Sequence, residues 1–159
     1  MSAGSLAKAV VPEIRSSLIS DAGTLKRLDA SLVGGGGITV ADQWRITSDL
    51  TSNADPVTNV EQVDTAGQGT LGSAMTQSSG VFTFPSTGLW LVRSSIQFQN
   101  DGTTTRYCQN YMQVTTNNSD FTTITEASSN ISSGSGSTYQ QVPAQSIIDV
   151  TNTTNVKVK

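Results

Sequence analysis

The run Phe82 to Val92, FTFPSTGLWLV, restricts the fold of this chain more than any other stretch. Val81, Phe82 and Phe84 are residues whose bulk packs well on a pleated surface, so they favour a strand. Pro85 cannot donate to a ladder and Gly88 tolerates backbone angles that side chains resist, so Pro-Ser-Thr-Gly stops the strand and reverses the chain. Leu89 to Val92 then resumes an apolar strand. A strand, a tight turn and a second strand in so short a space predict antiparallel β-structure.

The rest of the chain from Ile38 onward repeats that grammar. Short apolar patches alternate with Gly, Asn, Ser and Thr every ten or so residues, the signature of an antiparallel sandwich. Eight strands are expected: Ile38 to Thr47, Asn59 to Asp64, Gly80 to Phe84, Leu89 to Gln99, Arg106 to Thr116, Thr122 to Glu126, Tyr139 to Val150 with an interruption at Pro143, and Asn155 onward. In the fourth, Trp90, Val92, Ile96 and Phe98 share one face and Arg93, Gln97 and Gln99 the other, so one face is buried and one is wet. Cys108, Met112 and Val114 supply a second half-buried face, and two such faces opposed make a sandwich core. Leu89 and Leu91 lie opposite Trp90 and Val92, which predicts a second burial surface on that strand. Asn117-Asn118-Ser119-Asp120 reads as a hairpin turn and Asn100-Asp101-Gly102 as a longer connection. Asn130 to Ser137 is too poor in apolar groups to order itself, and Ala66 to Ser79 is a similar loop pinned by Leu71 and Met75.

The motif F-x-F-P-x-x-G-x-[YW], met here at Phe82 to Trp90 in a Ser/Thr-rich chain, resembles the jelly-roll head domain shared by the first complement component and tumour necrosis factor. The flanking segments GGGGITVADQWRIT and IIDVTNTTNVKVK resemble the versions of that head carried by fibres and appendages of tailed phages, marine and cyanobacterial ones especially. The resemblance covers about residues 36 to 159, and Trp90 stands where the family usually has tyrosine. It implies an all-β antiparallel jelly-roll sandwich and a homotrimer packed about an axis through one sheet of each copy. It also implies a further strand that pairs with the first. That strand is not found before Lys159, so either the natural product is longer or a neighbouring chain covers the edge, which would otherwise invite aggregation.

Residues 1–33 follow a different pattern. Val11, Ile14, Leu18, Leu25, Leu28 and Leu32 recur on alternating three- and four-residue steps, the seam of a coiled coil, with polar Asp21 on the same line. Pro12 suits a helix start, and Ser20 to Thr24 reads as a stop followed by a fresh cap. The segment is expected to be a short helical arm that either zips with its own copies or docks on another protein. Residues 34–37 are four glycines, a linker that holds no packed orientation by itself, and residues 38–159 form the head. No Lys-Ser/Thr pair follows these glycines, so they do not make a phosphate-binding loop.

Composition narrows the chemistry. The 159 residues carry 13% charged side chains, about half the usual share of roughly 25%, and a net charge of -3 with basic residues scattered except for Lys26-Arg27. Capture of nucleic acid needs clustered Lys and Arg and is not expected. There is no histidine, which removes the usual general base, triad partner and zinc ligand together. Asp42, Asp49, Asp55, Glu61, Asp64, Asp101, Asp120, Glu126 and Asp149 sit singly among turn-formers rather than as a paired glycosidase constellation. Loops such as 117–120 offer too few carboxylates at a recognisable calcium spacing. No catalytic residue, metal or cofactor is therefore expected. Cys108 is the only cysteine, so no intrachain disulfide forms, and in a strand-like context it reads as a small buried hydrophobe. The triplets at Asn117, Asn130 and Asn152 match a glycosylation pattern that so Asn/Ser/Thr-rich a chain produces by chance. Trp44, Trp90, Tyr107, Tyr111 and Tyr139 could form either a sugar-stacking platform or core and interface packing.

No basic segment followed by an apolar core marks a secretion signal, and no run approaches the ~18 apolar residues of a membrane span. The expected product is a soluble chain made in a host cytoplasm and carried out in a virion. With the resemblance, the function expected is a structural protein of a tailed phage: a trimeric fibre or appendage anchored to other virion proteins by its arm and displaying its head for host-surface contact. The alternatives are a capsid decoration or cement protein and a secreted bacterial carbohydrate-binding head. The loops expected to make contact, chosen for polarity, carry Asp101, Thr103, Asn117, Asn118, Asp120 and Asn130.

Overall fold

The computed structural model describes residues 37–102, 107–132, 134 and 136–159. A unit boundary falls between Ile38 and Thr39, and the architecture below belongs to the second unit. The helical seam from Val11 to Leu32, the linker residues 34–36 and Thr103 lie outside the described residues.

Among the described residues the protein is all-β, with every strand pair antiparallel. Nine strands follow in order: β1 (Trp44–Ile46), β2 (Val60–Gln62), β3 (Thr76–Ser78), β4 (Val81–Thr83), β5 (Gly88–Asn100), β6 (Tyr107–Thr115), β7 (Thr122–Asn130), β8 (Thr138–Val150) and β9 (Lys157–Val158). They form a β1-β2 pair, a five-stranded sheet in the order β3-β4-β9-β6-β7, and a long β5-β8 ribbon. The chain thus leaves the five-stranded sheet after β4, returns for β6 and β7, leaves again for β8, and comes back to insert β9 between β4 and β6.

The inward faces of ribbon and sheet meet in a shared core. Ile148 and Val150 of the ribbon pack with Phe84, Met112, Val156 and Val158, with Met75 completing the cluster and Trp90 and Val92 against it. A second cluster of Cys108, Ile131 and Val142, with Phe98 and Ala127 against it, continues the seam. Alternation along β5 and β8 sends Trp90, Val92, Val142, Ala144, Ile148 and Val150 inward, as period-two patterning requires. Both tryptophans serve this core. Trp44 meets Phe82 edge-on at 5.2 Å and donates from its indole to Asp42, while Trp90 lies 5.4 Å from Phe84 and donates to the Ser86 carbonyl.

Polar groups stitch the layers as well. Buried Asn110 on β6 donates to Ser94 Oγ at 2.6 Å and to the Val142 carbonyl at 3.0 Å, so one amide ties the five-stranded sheet to both strands of the ribbon. Thr125 Oγ1 of β7 donates to the Gln145 carbonyl of β8. Such bonds hold a register that hydrophobic contact alone leaves loose.

Several strand boundaries differ from expectation, each for a physical reason. The expected first strand shrinks to β1, because Ala41 already pairs with Leu71 as an isolated bridge. Leu71 pins its loop through those backbone bonds, not through its half-exposed side chain, whereas Met75 is buried as expected. The loop expected over residues 66–79 contains β3, which pairs with β4 through a two-residue turn. Ser79 (φ 51°) and Gly80 (φ 79°) both take left-handed angles, the geometry of a type I′ hairpin. Gly80 is therefore a turn residue and not the start of a strand. β7 runs on to Asn130 because its polar half keeps register with β6 to the end, so Asn130 is a strand residue and not a loop residue. β8 continues through Pro143, opposite Ser95, because β8 pairs with β5 alone and an edge strand tolerates a missing donor.

Two consequences are measurable. A Cβ at Gly80 would fall against the Val57 carbonyl oxygen and lie 2.9 Å from Pro56 Cβ. Gly80→Ala is expected to lower stability by more than the roughly 1–2 kcal/mol of left-handed strain alone, read as a fall in the urea midpoint. Cys108 is a buried free thiol; burial pushes its pKa up, a backbone hydrogen bond with Ser129 pulls it the other way by less, and the weak Sγ–H donation to the Ser129 carbonyl holds the proton on sulfur. A raised folded pKa favours the neutral thiol, so its stabilisation is whole below the ordinary cysteine pKa and fades as pH climbs through the folded value. Thiol reagents at neutral pH are expected to label Cys108 slowly until urea unfolds the chain, as read by mass spectrometry.

Candidate functional site

Three surfaces have the exposure and chemistry to contact another molecule. The first is the outer face of the β5-β8 ribbon. Opposite the core-facing residues, Leu89, Leu91 and Ile147 are 76%, 64% and 71% exposed, and Leu91 pairs directly with Ile147 across the ribbon. The face continues through Arg93, Ser95, Gln97 and Gln99 on β5 and Tyr139, Gln141, Pro143, Gln145 and Asp149 on β8. Arg93 and Asp149 are its only charges, and neither side chain has a hydrogen bond or ion pair among the described residues. An aliphatic patch on a charge-poor sheet face marks a surface built to be covered.

The second surface is the set of polar turns. Here the candidate residues part company. The 117–120 turn lies beyond the Thr115 end of β6, whereas Asn130 pairs with Tyr107 at its other end, so they are separated by roughly 25–30 Å of strand. Asp101 belongs to the Asn130 end: its carboxylate accepts from Ser137 Oγ at 3.3 Å, and Ser137 accepts from Gln99. Asn117 is occupied within its own turn. Its Oδ1 accepts from the backbone N–H groups of Ser119 (3.0 Å) and Asp120 (2.8 Å), and its Nδ2 donates to Asp120 Oδ2 (2.7 Å). Asn118 takes φ 63° and its N–H donates to the Asn155 carbonyl. Asn117 and Asp120 thus shape a turn, with little hydrogen-bonding capacity left over.

The third surface, on the outer face of β6 and β7, shares only Asn130 with the polar loops expected to make contact. Alternation along β6 buries Cys108, Asn110 and Met112 and turns Tyr107, Gln109 and Tyr111 outward, the two phenols 62% and 46% exposed. Register sets Asn130, Ser128 and Glu126 directly across from them. Tyr111 Oη donates to Gln109 Oε1 at 2.7 Å, and Gln109 Nε2 donates to Glu126 Oε1 at 2.8 Å, so the amide is held in one orientation. Desolvation, then the Glu126 carboxylate and Tyr107, push the Tyr111 phenol up, which keeps it a donor. Beside this chain of bonds lies an open groove of about 400 Å³ lined by Tyr107, Gln109, Ser128, Ser129 and Asn130. The aromatic residues were visible in the sequence; their polar partners become visible only once the β6-β7 register is known.

Comparison with protein-family models and with curated proteins gives no match.

Proposed function

We propose that this chain is a non-enzymatic structural protein of a tailed-phage virion, a homotrimeric short fibre or appendage. Residues 1–33 anchor it to other virion proteins, residues 34–37 permit reorientation, and a jelly-roll head is displayed for contact with a host surface. The observation that carries the reading is the strand order. A jelly roll needs a chain that alternates between two sheets and a late strand returning to lie beside early ones. The crossings at β4-β5, β5-β6, β7-β8 and β8-β9, with β9 seated between β4 and β6, follow that pattern. It adds to the resemblance carried by Phe82 to Trp90.

The trimer is supported by the aliphatic outer face of the ribbon. Burying a leucine or isoleucine side chain stabilises by about 1.5–3 kcal/mol, so Leu89, Leu91 and Ile147, repeated in each copy, supply an apolar self-contact on a face whose two charges, Arg93 and Asp149, are of opposite sign. Three weak head sites on one trimer, repeated over many fibres, then hold a host surface by avidity.

Two measurements test this. Sedimentation velocity of the full chain is expected to give a trimer at micromolar concentration, and a monomer overturns the assembly. Mass spectrometry and immunogold labelling of purified particles are expected to find the chain at a tail-type copy number. A capsid-type copy number supports the decoration alternative, and absence from particles overturns the virion reading.

A further inference from the structure

We propose that the groove on the outer face of β6 and β7 binds an uncharged saccharide. This names the ligand class for the displayed head and rests on that reading for its biological setting, but the groove is formed by one chain alone. The argument begins from what each polar group already does. Gln109 is fixed through both ends of its amide, to Tyr111 and to Glu126, so it presents its remaining N–H and lone pair without losing rotamer freedom on binding. The Tyr107 hydroxyl, the Ser128 hydroxyl and the Asn130 amide make no hydrogen bond among the described residues. The groove therefore combines one preorganised amide with three unspent donor–acceptor groups and an exposed aromatic ring. In the 117–120 turn, by contrast, the asparagine amide and the carboxylate are used internally.

The chemistry selects the ligand. A sugar ring offers hydroxyls that both donate and accept, matching amide and hydroxyl side chains, and an apolar C–H face that packs on an aromatic ring. Among the described residues Glu126 is the only charged one at the outward positions of β6 and β7, so a sialylated or sulfated chain meets a like charge there. A nucleic acid or acidic peptide is disfavoured for the same reason. The groove also lies on the opposite outer surface of the sandwich from the Leu89-Leu91-Ile147 patch, so self-association through the ribbon leaves it open.

The test is an array of neutral, amino and anionic glycans probed with the full chain, positives being followed by calorimetry with the free oligosaccharide. Neutral glycans are expected to bind, Tyr107→Ala and Gln109→Ala are expected to weaken binding by at least about tenfold, and Tyr107→Phe, which keeps the ring, is expected to retain most of it. Thermal melting checks that each variant stays folded, as outward-facing positions should allow. Failure of every glycan to bind, or binding indifferent to Tyr107→Ala, overturns the proposal. A change of oligomeric state in Tyr107→Ala overturns it too, by making the face a contact between copies. Saccharide binding by a chain absent from particles would uphold the groove and remove only the display setting.

Discussion

Phe84→Ala is expected to lower the unfolding free energy by about 3–5 kcal/mol, the largest stability change anticipated for any single truncation in this protein. Phe84 is 2% exposed and stands where the Pro85 turn carries the chain from one sheet to the other. Its ring lies 5.4 Å from that of Trp90 and belongs to the cluster formed by Met112, Ile148, Val150, Val156 and Val158. Removing it takes contacts from both layers at once, and two rigid sheets cannot close over the resulting cavity as a loop could. A domain of this size has a total stability of about 5–15 kcal/mol, so the variant should sit close to unfolding at room temperature. Urea denaturation followed by tryptophan fluorescence reports it directly, since Trp90 loses its neighbour. A loss under about 1 kcal/mol, the size of an ordinary surface change, would mean that ribbon and sheet do not share this core.

The second large effect concerns assembly. On the trimeric reading, Leu91→Arg is expected to convert the trimer to monomer in sedimentation velocity at micromolar concentration while leaving the melting of the isolated head nearly unchanged. Leu91 is 64% exposed and faces away from the core, so an arginine there strains nothing within one chain. In an assembly through the ribbon, three copies of the new charge would be taken from water beside the Ile147 side chains, and each chain would then bring two cations, at positions 91 and 93, against the single carboxylate of Asp149. The near neutrality of this face makes the test sharp, because Arg93 and Asp149 are its only charges and an added cation leaves one positive charge per chain unbalanced. An unchanged sedimentation coefficient would show that the ribbon face does not hold copies together.

How legible each element was depended on where its driving force lay. β5 could be read residue by residue, since Trp90, Val92, Ile96 and Phe98 alternate with Arg93, Gln97 and Gln99 and each choice of face follows from hydropathy. β3 could not. Thr76-Gln77-Ser78 has no apolar pattern, and it becomes a strand because the Ser79-Gly80 turn folds it onto Val81–Thr83. The end of β7, Ala127-Ser128-Ser129-Asn130, has no apolar alternation beyond Ala127, and its order comes from pairing with Tyr107–Asn110. Ile38 to Gln43 shows the reverse case, an apolar segment with strand propensity that stays mostly irregular around a single bridge from Ala41 to Leu71.

The surface sites divide the same way. That Leu89 and Leu91 need covering is evident from apolar residues on both faces of one strand, but Ile147 joins them only because β8 pairs with β5 in a particular register. Likewise Tyr107 and Tyr111 are marked by their own chemistry, whereas Ser128 carries no signal of its own and Asn130, marked only as part of a polar loop, matters through its position opposite Tyr107.

The amino-acid sequence by itself determined the β class, the inward faces of the long strands and the turn at Pro85, because these rest on side-chain periodicity and on backbone limits that act within a few residues. Tertiary structure alone decided the insertion of β9 between β4 and β6, the extra strand β3, the interlayer bridge from Asn110 and the meeting of Tyr107 with Asn130. Those features rest on hydrogen bonds and contacts between segments tens of residues apart, whose free energy exists only once the two sheets have come together.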